Sequence, residues 1–373
     1  MERNTIFIGL DVSKETIAVA IADGSRRGEV RFYGTISSKP EAVAKLVKTL
    51  AAKHGSLAFA YEAGPTGYGL YRQLIELGYA CHVVAPSMTP ARPGSQVKTD
   101  RRDAVVLASL FRAGELTSIW VPDTEHEAMR DLVRARISAV EMVRRARQQL
   151  LSFLLRHGRI YKDGIKHWSK KHRRWLGDQR FDHPAQQIAF EEYNRAIEQA
   201  EDRRSRLEKQ IETLLPNWSL HPVVAAIQAL RGVSLIAAVT IIAEVGDFRR
   251  FANPRQLMGW LGLVPRERSS GSTRSQGKIT KAGNSRARRI LVESAWTYRL
   301  PARVAGDLLR RSANLSQEAR DIAWKAQVRL CARYRRMLRS GRPKNVVTVA
   351  IARELAAFVW AIAIQNPAPV QAA

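Results

Sequence analysis

Two carboxylates stand three residues apart in Lys98-Thr99-Asp100-Arg101-Arg102-Asp103, just before an apolar run through Val105, Val106, Leu107, Leu110 and Phe111. A helix opening at Asp100 puts Asp103 on the same face, with about 5–6 Å between Cβ atoms. Carboxylates at that separation repel. The three neighbouring cations offset the repulsion, and a divalent metal bound by both would do so better. The helix macrodipole also favours an acid in the first turn, so a plain helix start accounts for Asp100 but not for Asp103. Two more acids end candidate strands: Asp11 after the alternating Ile6, Ile8 and Leu10, and Glu62 before Ala63-Gly64-Pro65-Thr66-Gly67. An Asp at a strand end is commonly a turn former. Four acids at strand ends or a helix start, the edge where α/β sheets bind ligands, suggest carboxylates gathered around two divalent ions. Paired ions hold the attacking and leaving oxygens of a displacement at phosphorus, and oxygen ligands without Cys or His clusters point to Mg²⁺ or Mn²⁺, not zinc.

A second stretch that could do chemistry runs from Pro265 to Asn284 and is rich in hydroxyls, glycines and cations, which makes it a loop by composition. Ser269, Ser270 and Ser272 lie among Arg266, Arg268 and Arg274. A serine so placed is suited to attack a phosphate, because the cations attract the ester and stabilise the charge that develops on it. The same composition describes a flexible linker.

The elements that must position these groups follow from periodicity. Residues 5–22 read as a strand hairpin, 40–54 as a helix, Ser56–Tyr61 as a strand, the run through Leu70, Leu74 and Leu77 as a helix, and Ala80–Val84 as a strand. That order is an α/β layout with a central mixed sheet. From Thr124 to about His157 apolar residues recur three or four apart, and Phe190, Tyr193, Ile197, Ala200, Arg204, Leu207, Ile211 and Leu214 step by three and four throughout, with Arg204 the one polar interruption. Two such helices make an antiparallel coiled-coil arm. Its tip, Arg156 to Trp175, carries Tyr161, Trp168 and Trp175 among cations, which suits nucleic-acid contact or a solvated face. Val223–Leu230 and Leu235–Val245 flank Gly232 and resemble a helix-hairpin-helix able to hold a phosphate; a core helical hairpin reads the same way. Asn253-Pro254 opens another helix, and Ser285 to Trp296 a further one.

The chain holds 61 Lys and Arg against 34 Asp and Glu, a net charge of +27 that is not confined to a tail. Such a field implies a polyanion partner, DNA or RNA. An anionic membrane is disfavoured: the nearest approach to a span, Val346 to Ala363, is interrupted by Arg353 and Glu354 and reads as a buried or interface helix. Cys81 and Cys331, far apart and without CxxC spacing, argue against a disulfide framework, and the start has no signal-peptide pattern, so a reducing cytoplasm or nucleoid is expected.

Four motifs in order, Gly9-Leu10-Asp11-Val12-Ser13-Lys14, Tyr61-Glu62-Ala63-Gly64-Pro65-Thr66-Gly67, Lys98-Thr99-Asp100-Arg101-Arg102-Asp103-Ala104 and Gly277-Lys278-Ile279-Thr280-Lys281-Ala282-Gly283-Asn284, resemble the landmarks of DEDD-type bacterial insertion-sequence transposases. The resemblance covers roughly residues 5 to 300 and implies an N-terminal RNase H-like (RuvC-like) catalytic domain and a C-terminal transposase domain; with the arm read from periodicity, the expected division is the catalytic domain over 1–122, the coiled-coil arm over 123–216, and a mostly α-helical transposase domain over 217–373. The resemblance implies that Asp11, Glu62, Asp100 and Asp103 are the DEDD carboxylates, that they bind metal, and that a serine, Ser270 by position before Gly271, is the nucleophile. Ser269 and Ser272 stand close enough to compete. It further implies a homodimer or homotetramer guided by a noncoding bridge RNA that pairs with donor and target DNA, which would relieve the protein of reading bases. Two alternatives are a metal-dependent junction resolvase or nuclease using activated water, and a non-catalytic nucleic-acid-binding scaffold. The resemblance assigns no role to the basic segment Arg329 to Lys344.

Overall fold

A computed structural model describes residues 5–25, 28–86, 89–90, 99–162, 167–270, 273–304 and 306–366. The chain divides into two compact units, one ending at Val121 and the other beginning at Pro122.

In the first unit, β1 (Thr5–Val12), β2 (Thr16–Ala22) and β3 (Val30–Ser37) form an antiparallel meander, followed by α1 (Pro40–Lys53), β4 (Ser56–Glu62), α2 (Gly69–Glu76), β5 (Ala80–Val84) and α3 (Asp100–Arg112). The sheet order is β3-β2-β1-β4-β5, with β4 parallel to both β1 and β5. The third strand corrects the expectation of a two-stranded hairpin followed directly by a helix. As an edge strand β3 alternates between half-buried and exposed positions, with Arg31 and Gly34 inside it, so it lacks the apolar run that marks β1 and β2.

Alternation along β1 sends Ile6, Ile8 and Leu10 to one face of the sheet. There they pack with Val43, Leu46, Val47 and Leu50 of α1 and Leu74 of α2. On the other face Ala18, Ala20 and Ala22 of β2 meet Ala104 and Ala108 of α3, with Phe7, Phe32 and Val105 around them. Small side chains on both partners let this helix lie close to the strands. The closest approach is at Gly9, where an added Cβ would stand 2.5 Å from the Ala104 carbonyl oxygen and the Ala108 nitrogen.

The second unit is mostly helical: α4 (Thr124–Arg156), α5 (Lys170–Gly177), α6 (Pro184–Leu214), α7 (His221–Ile227), α8 (Leu235–Val245), α9 (Pro254–Trp260), the hairpin β6 (Pro265–Ser270) and β7 (Thr273–Ile279), α10 (Ser285–Ala295), α11 (Asp307–Ser312), α12 (Gln317–Arg339) and α13 (Lys344–Gln365). Asp123 caps α4 by accepting from the His126 N–H at 2.7 Å. Helices α4 and α6 run antiparallel, as Arg136 meets Glu208 at 2.9 Å, Arg147 meets Glu201, and the Phe153 and Tyr193 rings pack at 5.4 Å.

At the far end of this pair the aromatic residues pack mainly on one another. His172 is fully buried, the Tyr161 ring stands edge-on to it at 4.9 Å, and Trp175 lies at 5.7 Å. Arg147 covers Trp168 at 4.7 Å and Arg159 covers Phe181 at 4.1 Å. With Leu150, Phe153 and Leu176 this makes a small core of its own, because two helices alone cannot bury their ends.

The main core is built around α8, buried throughout from Ala238 to Val245, and α13, whose Val347, Ile351, Leu355, Val359 and Ile362 are buried. Among the described helices α13 is long and apolar enough to cross a membrane, but half of its apolar stretch is packed inside the protein. Between α7 and α8 the chain turns at Gly232 with φ of 82°, and an added Cβ there would stand 2.5 Å from the Ser294 carbonyl oxygen of α10. The turn is thereby pinned to the core.

Candidate active site

Leu10 of β1 pairs with Tyr61 of β4, so Asp11 and Glu62 follow one residue later at the same edge of two adjacent parallel strands. Neighbouring strands lie about 4.8 Å apart. Asp11 also pairs with Ala18, one of the alanines beneath α3, which puts it on the helix-bearing face. It is half-buried, whereas Glu62 is exposed and accepts a hydrogen bond from Thr89 Oγ1 at 2.8 Å.

Three contacts fix the direction of α3 over β1. The Phe7 ring meets Phe111 edge-on at 5.1 Å, and Gly9 lies beneath Ala108 and Ala104. As β1 advances toward Asp11, therefore, α3 is traversed backward toward its first turn. That turn carries Asp100 and Asp103, both exposed, and is capped by Thr99, which accepts from the Arg102 N–H. Antiparallel seating thus directs the helix start toward the edge where Asp11 and Glu62 end their strands. Arg101 reaches back over the Phe32 ring at 5.3 Å. Among the described residues, no three His, Cys, Asp or Glu side chains are close enough to hold one ion together. Asp11 and Glu62 share the strand edge toward which the start of α3 is directed, and the all-oxygen donors of the four acids suit Mg²⁺ or Mn²⁺. Lys98 lies outside the described residues.

The serine-rich stretch belongs to the second unit and is not a loop. Pro265–Ser270 and Thr273–Ile279 pair as antiparallel strands, with Ser270 opposite Thr273 and Arg268 opposite Ser275. The expectation from composition fails because the described side chains from Arg266 to Arg268 and from Ser275 to Lys278 are exposed, so no apolar alternation marks the strands. Arg268 and Ser270, two residues apart, share one face of β6. Ser270 is exposed; Ser272 and the side chain of Ser269 lie outside the described residues.

The root of the hairpin is held by backbone contact. Gly262 and Gly283 have φ of 64° and 71°, and an added Cβ would collide with the Ala282 and Trp260 carbonyl oxygens respectively. Arg288 of α10 donates to the Leu261 oxygen at 2.8 Å and the Ala282 oxygen at 3.0 Å, tying both ends of the root to one helix.

That helix is anchored in turn by a buried carboxylate that the sequence reading passed over. Asn284 caps α10 by accepting from the N–H groups of Arg286 and Ala287, and its Nδ2 donates to Glu244 at 2.6 Å. Arg134 of α4 grips the same carboxylate with two bonds of 2.9 and 3.0 Å. Burial alone would raise the Glu244 pKa, but Arg134 and Asn284 hold it below the usual carboxylate range. One residue earlier, the Ala243 oxygen takes His126 Nε2 at 2.9 Å and Arg130 Nε at 2.8 Å. Burial, aided by the Arg130 charge, lowers the His126 pKa to about 4. Inside the apolar run Leu235–Val245 only the acid itself hinted at this joint.

Comparison with known proteins identifies the family. Residues 8–158 match a family model described as Transposase, of the DEDD IS110 type, and residues 224–304 match one described as Transposase IS116/IS110/IS902 family. The chain is 54% identical over 357 residues to y4qE of Sinorhizobium fredii, named as a transposase, covering 96% of this chain and 88% of that protein. It is 29% identical over 337 residues to the transposase for insertion sequence element IS1533 of Leptospira borgpetersenii, covering 90% and 97%. A transposase for IS1328 of Yersinia enterocolitica is 24% identical over 343 residues, 86% of this chain and 96% of the relative. With an α/β unit that carries the acidic edge and a helical unit that carries the serine hairpin, the chain belongs to the IS110/IS116 family of DEDD insertion-sequence transposases, enzymes that cleave and rejoin DNA.

Proposed function

We propose that this transposase moves its own element through a covalent phosphoserine intermediate, with Asp11, Glu62, Asp100 and Asp103 holding Mg²⁺ or Mn²⁺ and Ser270 as the nucleophile. The observation that carries the reading is the antiparallel seating of α3 on β1, which directs two acids of a helix start toward the edge where two strands end in acids. The sheet order β3-β2-β1-β4-β5, three antiparallel strands followed by two parallel ones, supports an RNase H-like (RuvC-like) assignment for residues 1–122. Residues 123–216 then form the coiled-coil arm and 217–373 the transposase domain with its helix-hairpin-helix-like turn at Gly232.

In the cleavage step Ser270 Oγ bonds to phosphorus while the bond from phosphorus to a sugar oxygen breaks, and the serine proton ends on that leaving oxygen. A free DNA hydroxyl later attacks the same phosphorus and returns the serine. The link conserves bond energy, so no ATP is consumed. Arg268, on the same face of β6, supplies positive charge to the phosphate. Asp11, Glu62, Asp100 and Asp103 would hold the divalent metal, which would supply positive charge to phosphate oxygens of DNA bound at that edge. The excess of cations supports guidance by a noncoding RNA that pairs with DNA while the protein holds backbone. We assign the active form as a homodimer or homotetramer working in the cytoplasm on the nucleoid.

Incubation with element-end DNA, guide RNA and Mg²⁺, followed by a denaturing gel, tests the serine. A protein–DNA adduct that disappears in Ser270→Ala supports it. Undiminished cleavage by Ser270→Ala, without any adduct, would instead establish the rival reading in which the carboxylate edge alone activates water. That rival has one observation behind it, since all four acids lie in a unit that does not contain Ser270.

A further inference from the structure

Beyond residue 304, where the family match ends, α12 carries a feature that the cleavage reading leaves unused. One side of this helix is buried through Ala319, Ala323, Ala326, Leu330, Cys331 and Tyr334. On the exposed side Lys325, Arg329, Ala332, Arg336 and Arg339 recur in steps of four, three, four and three, which places them in one stripe. At 1.5 Å per residue the stripe is about 21 Å long. From Ile322 to Lys344 there is no carboxylate at all. Glu354 of α13 takes Arg329 at 2.7 Å and Arg333 at 3.3 Å. Lys325, Arg336, Arg339, Arg342 and Lys344 have no carboxylate partner among the described residues.

Helix stability does not account for this arrangement. The macrodipole favours Arg336 and Arg339 in the last turns, but its influence fades within a turn and does not reach Lys325. Like charges four apart destabilise a helix by a few tenths of a kcal/mol per pair. A straight row of cations kept at that cost faces a polyanion outside the fold. Its dimensions select among polyanions. An α-helix of about 10–12 Å diameter suits the roughly 12 Å major groove of B-form DNA, whereas the deep, narrow major groove of an RNA duplex does not admit it. Arg and Lys spaced along one stripe around a central Ala offer charge-assisted contacts to phosphate oxygens, which position a duplex irrespective of its sequence.

We propose that the exposed face of α12 is a docking surface for the phosphate backbone of duplex DNA, separate from the cleavage residues. The proposal rests on the protein's acting on DNA and not on the serine mechanism. The test uses the full chain, a fluorescent 30-base-pair duplex of arbitrary sequence and EDTA, with anisotropy followed from about 50 to 300 mM NaCl. Each phosphate contact contributes about 0.9 to the slope of log K against log salt, so Lys325→Gln/Arg336→Gln/Arg339→Gln should flatten it by about 2–3 and weaken binding at least tenfold at low salt. A control that removes the same charge from exposed α1 positions, Lys45→Gln/Lys48→Gln/Lys53→Gln, should leave the slope near that of the unsubstituted protein.

Independently of charge, Ala332→Cys should cross-link by thiol–disulfide exchange to a duplex carrying a tethered mixed disulfide, releasing the small-molecule thiol, and Lys48→Cys should not. An unchanged slope in the α12 variant, or a loss seen only with a hairpin RNA of equal length, overturns the proposal. So does a change in sedimenting mass with DNA binding intact, which would make the face a contact between copies of the chain. Failure of the unsubstituted protein to bind duplex DNA overturns the DNA reading itself and the proposal with it.

Discussion

Gly9→Ala is the most direct probe of how the acidic edge is assembled. The methyl group would arrive 2.5 Å from the Ala104 oxygen and the Ala108 nitrogen, both backbone atoms, so no rotamer change can make room. Ordinary contact lies near 3.5 Å, and α3 must retreat by about 1 Å or tilt about a distant point. Overpacking of this kind destabilises by roughly 1–3 kcal/mol. Its effect on chemistry should be larger than that figure suggests, because Asp100 and Asp103 ride on the displaced helix while Asp11 and Glu62 stay on the sheet. A misplacement of about 1 Å between cooperating groups can reduce rate on the order of a hundredfold. The assay pairs urea unfolding with single-turnover cleavage of element-end DNA in Mg²⁺. The variant should remain folded at room temperature, lose a fraction of its stability, and cleave on the order of a hundredfold more slowly. Cleavage that falls no more than the folded fraction would refute the claim that close packing at Gly9 sets the spacing of the acids.

Three further outcomes follow from the joints described above. Glu244→Gln breaks a charge-assisted grip by Arg134 on a buried group and should destabilise the second unit by on the order of 3 kcal/mol, read from urea midpoints. His126 has its pKa lowered from 6.5 to about 4, so the unfolded chain takes up its proton first. The associated stability is complete above about pH 6.5 and is lost as pH falls toward 4, by roughly 3 kcal/mol. Glu244, whose pKa is also lowered, adds acid sensitivity as pH falls through its own range. Fluorescence of Trp218, whose ring lies 5.3 Å from that of His126, reports the transition, and His126→Gln should flatten the profile. Asp103→Asn removes one of two like charges in an exposed first turn and should abolish most Mg²⁺-dependent cleavage while leaving the unfolding midpoint within about 0.5 kcal/mol.

Elements with a buried face were legible from the chain alone. Alternation through Ile6, Ile8 and Leu10 marks β1, the largely apolar run marks α8 from Leu235 to Val245, and Asn284 caps α10 where a polar stretch gives way to Ala287 and Leu291. Elements without such a face were not. Strand β3 is half-exposed along its length, and the β6–β7 hairpin is held by backbone pairing that leaves no mark on residue type. The candidate site was legible as four separate acids, because each ends or begins an element. Their common edge depends on Gly9, whose role lies in the side chain it lacks, and no periodicity reports that. Long-range joints were silent as well: Glu244 and Arg134 lie 110 residues apart. The aromatic residues near Trp168 advertised a stacking surface, yet much of their area is used in covering one another.

The glycine pair beneath the serine hairpin has a bearing on how such proteins can diverge. Since Gly262 and Gly283 press main chain against main chain, the arm's foot cannot slide, and changes of reach must come from its free end. Adding one residue to a strand would turn every later side chain to the opposite face, Ser270 included. Adding two to each strand would keep every side chain's facing and carry the tip outward by about 6.6 Å. Natural variation in the length of this projection should therefore come in even steps, and an engineered hairpin four residues longer is a ruler for how far its end must travel to meet DNA.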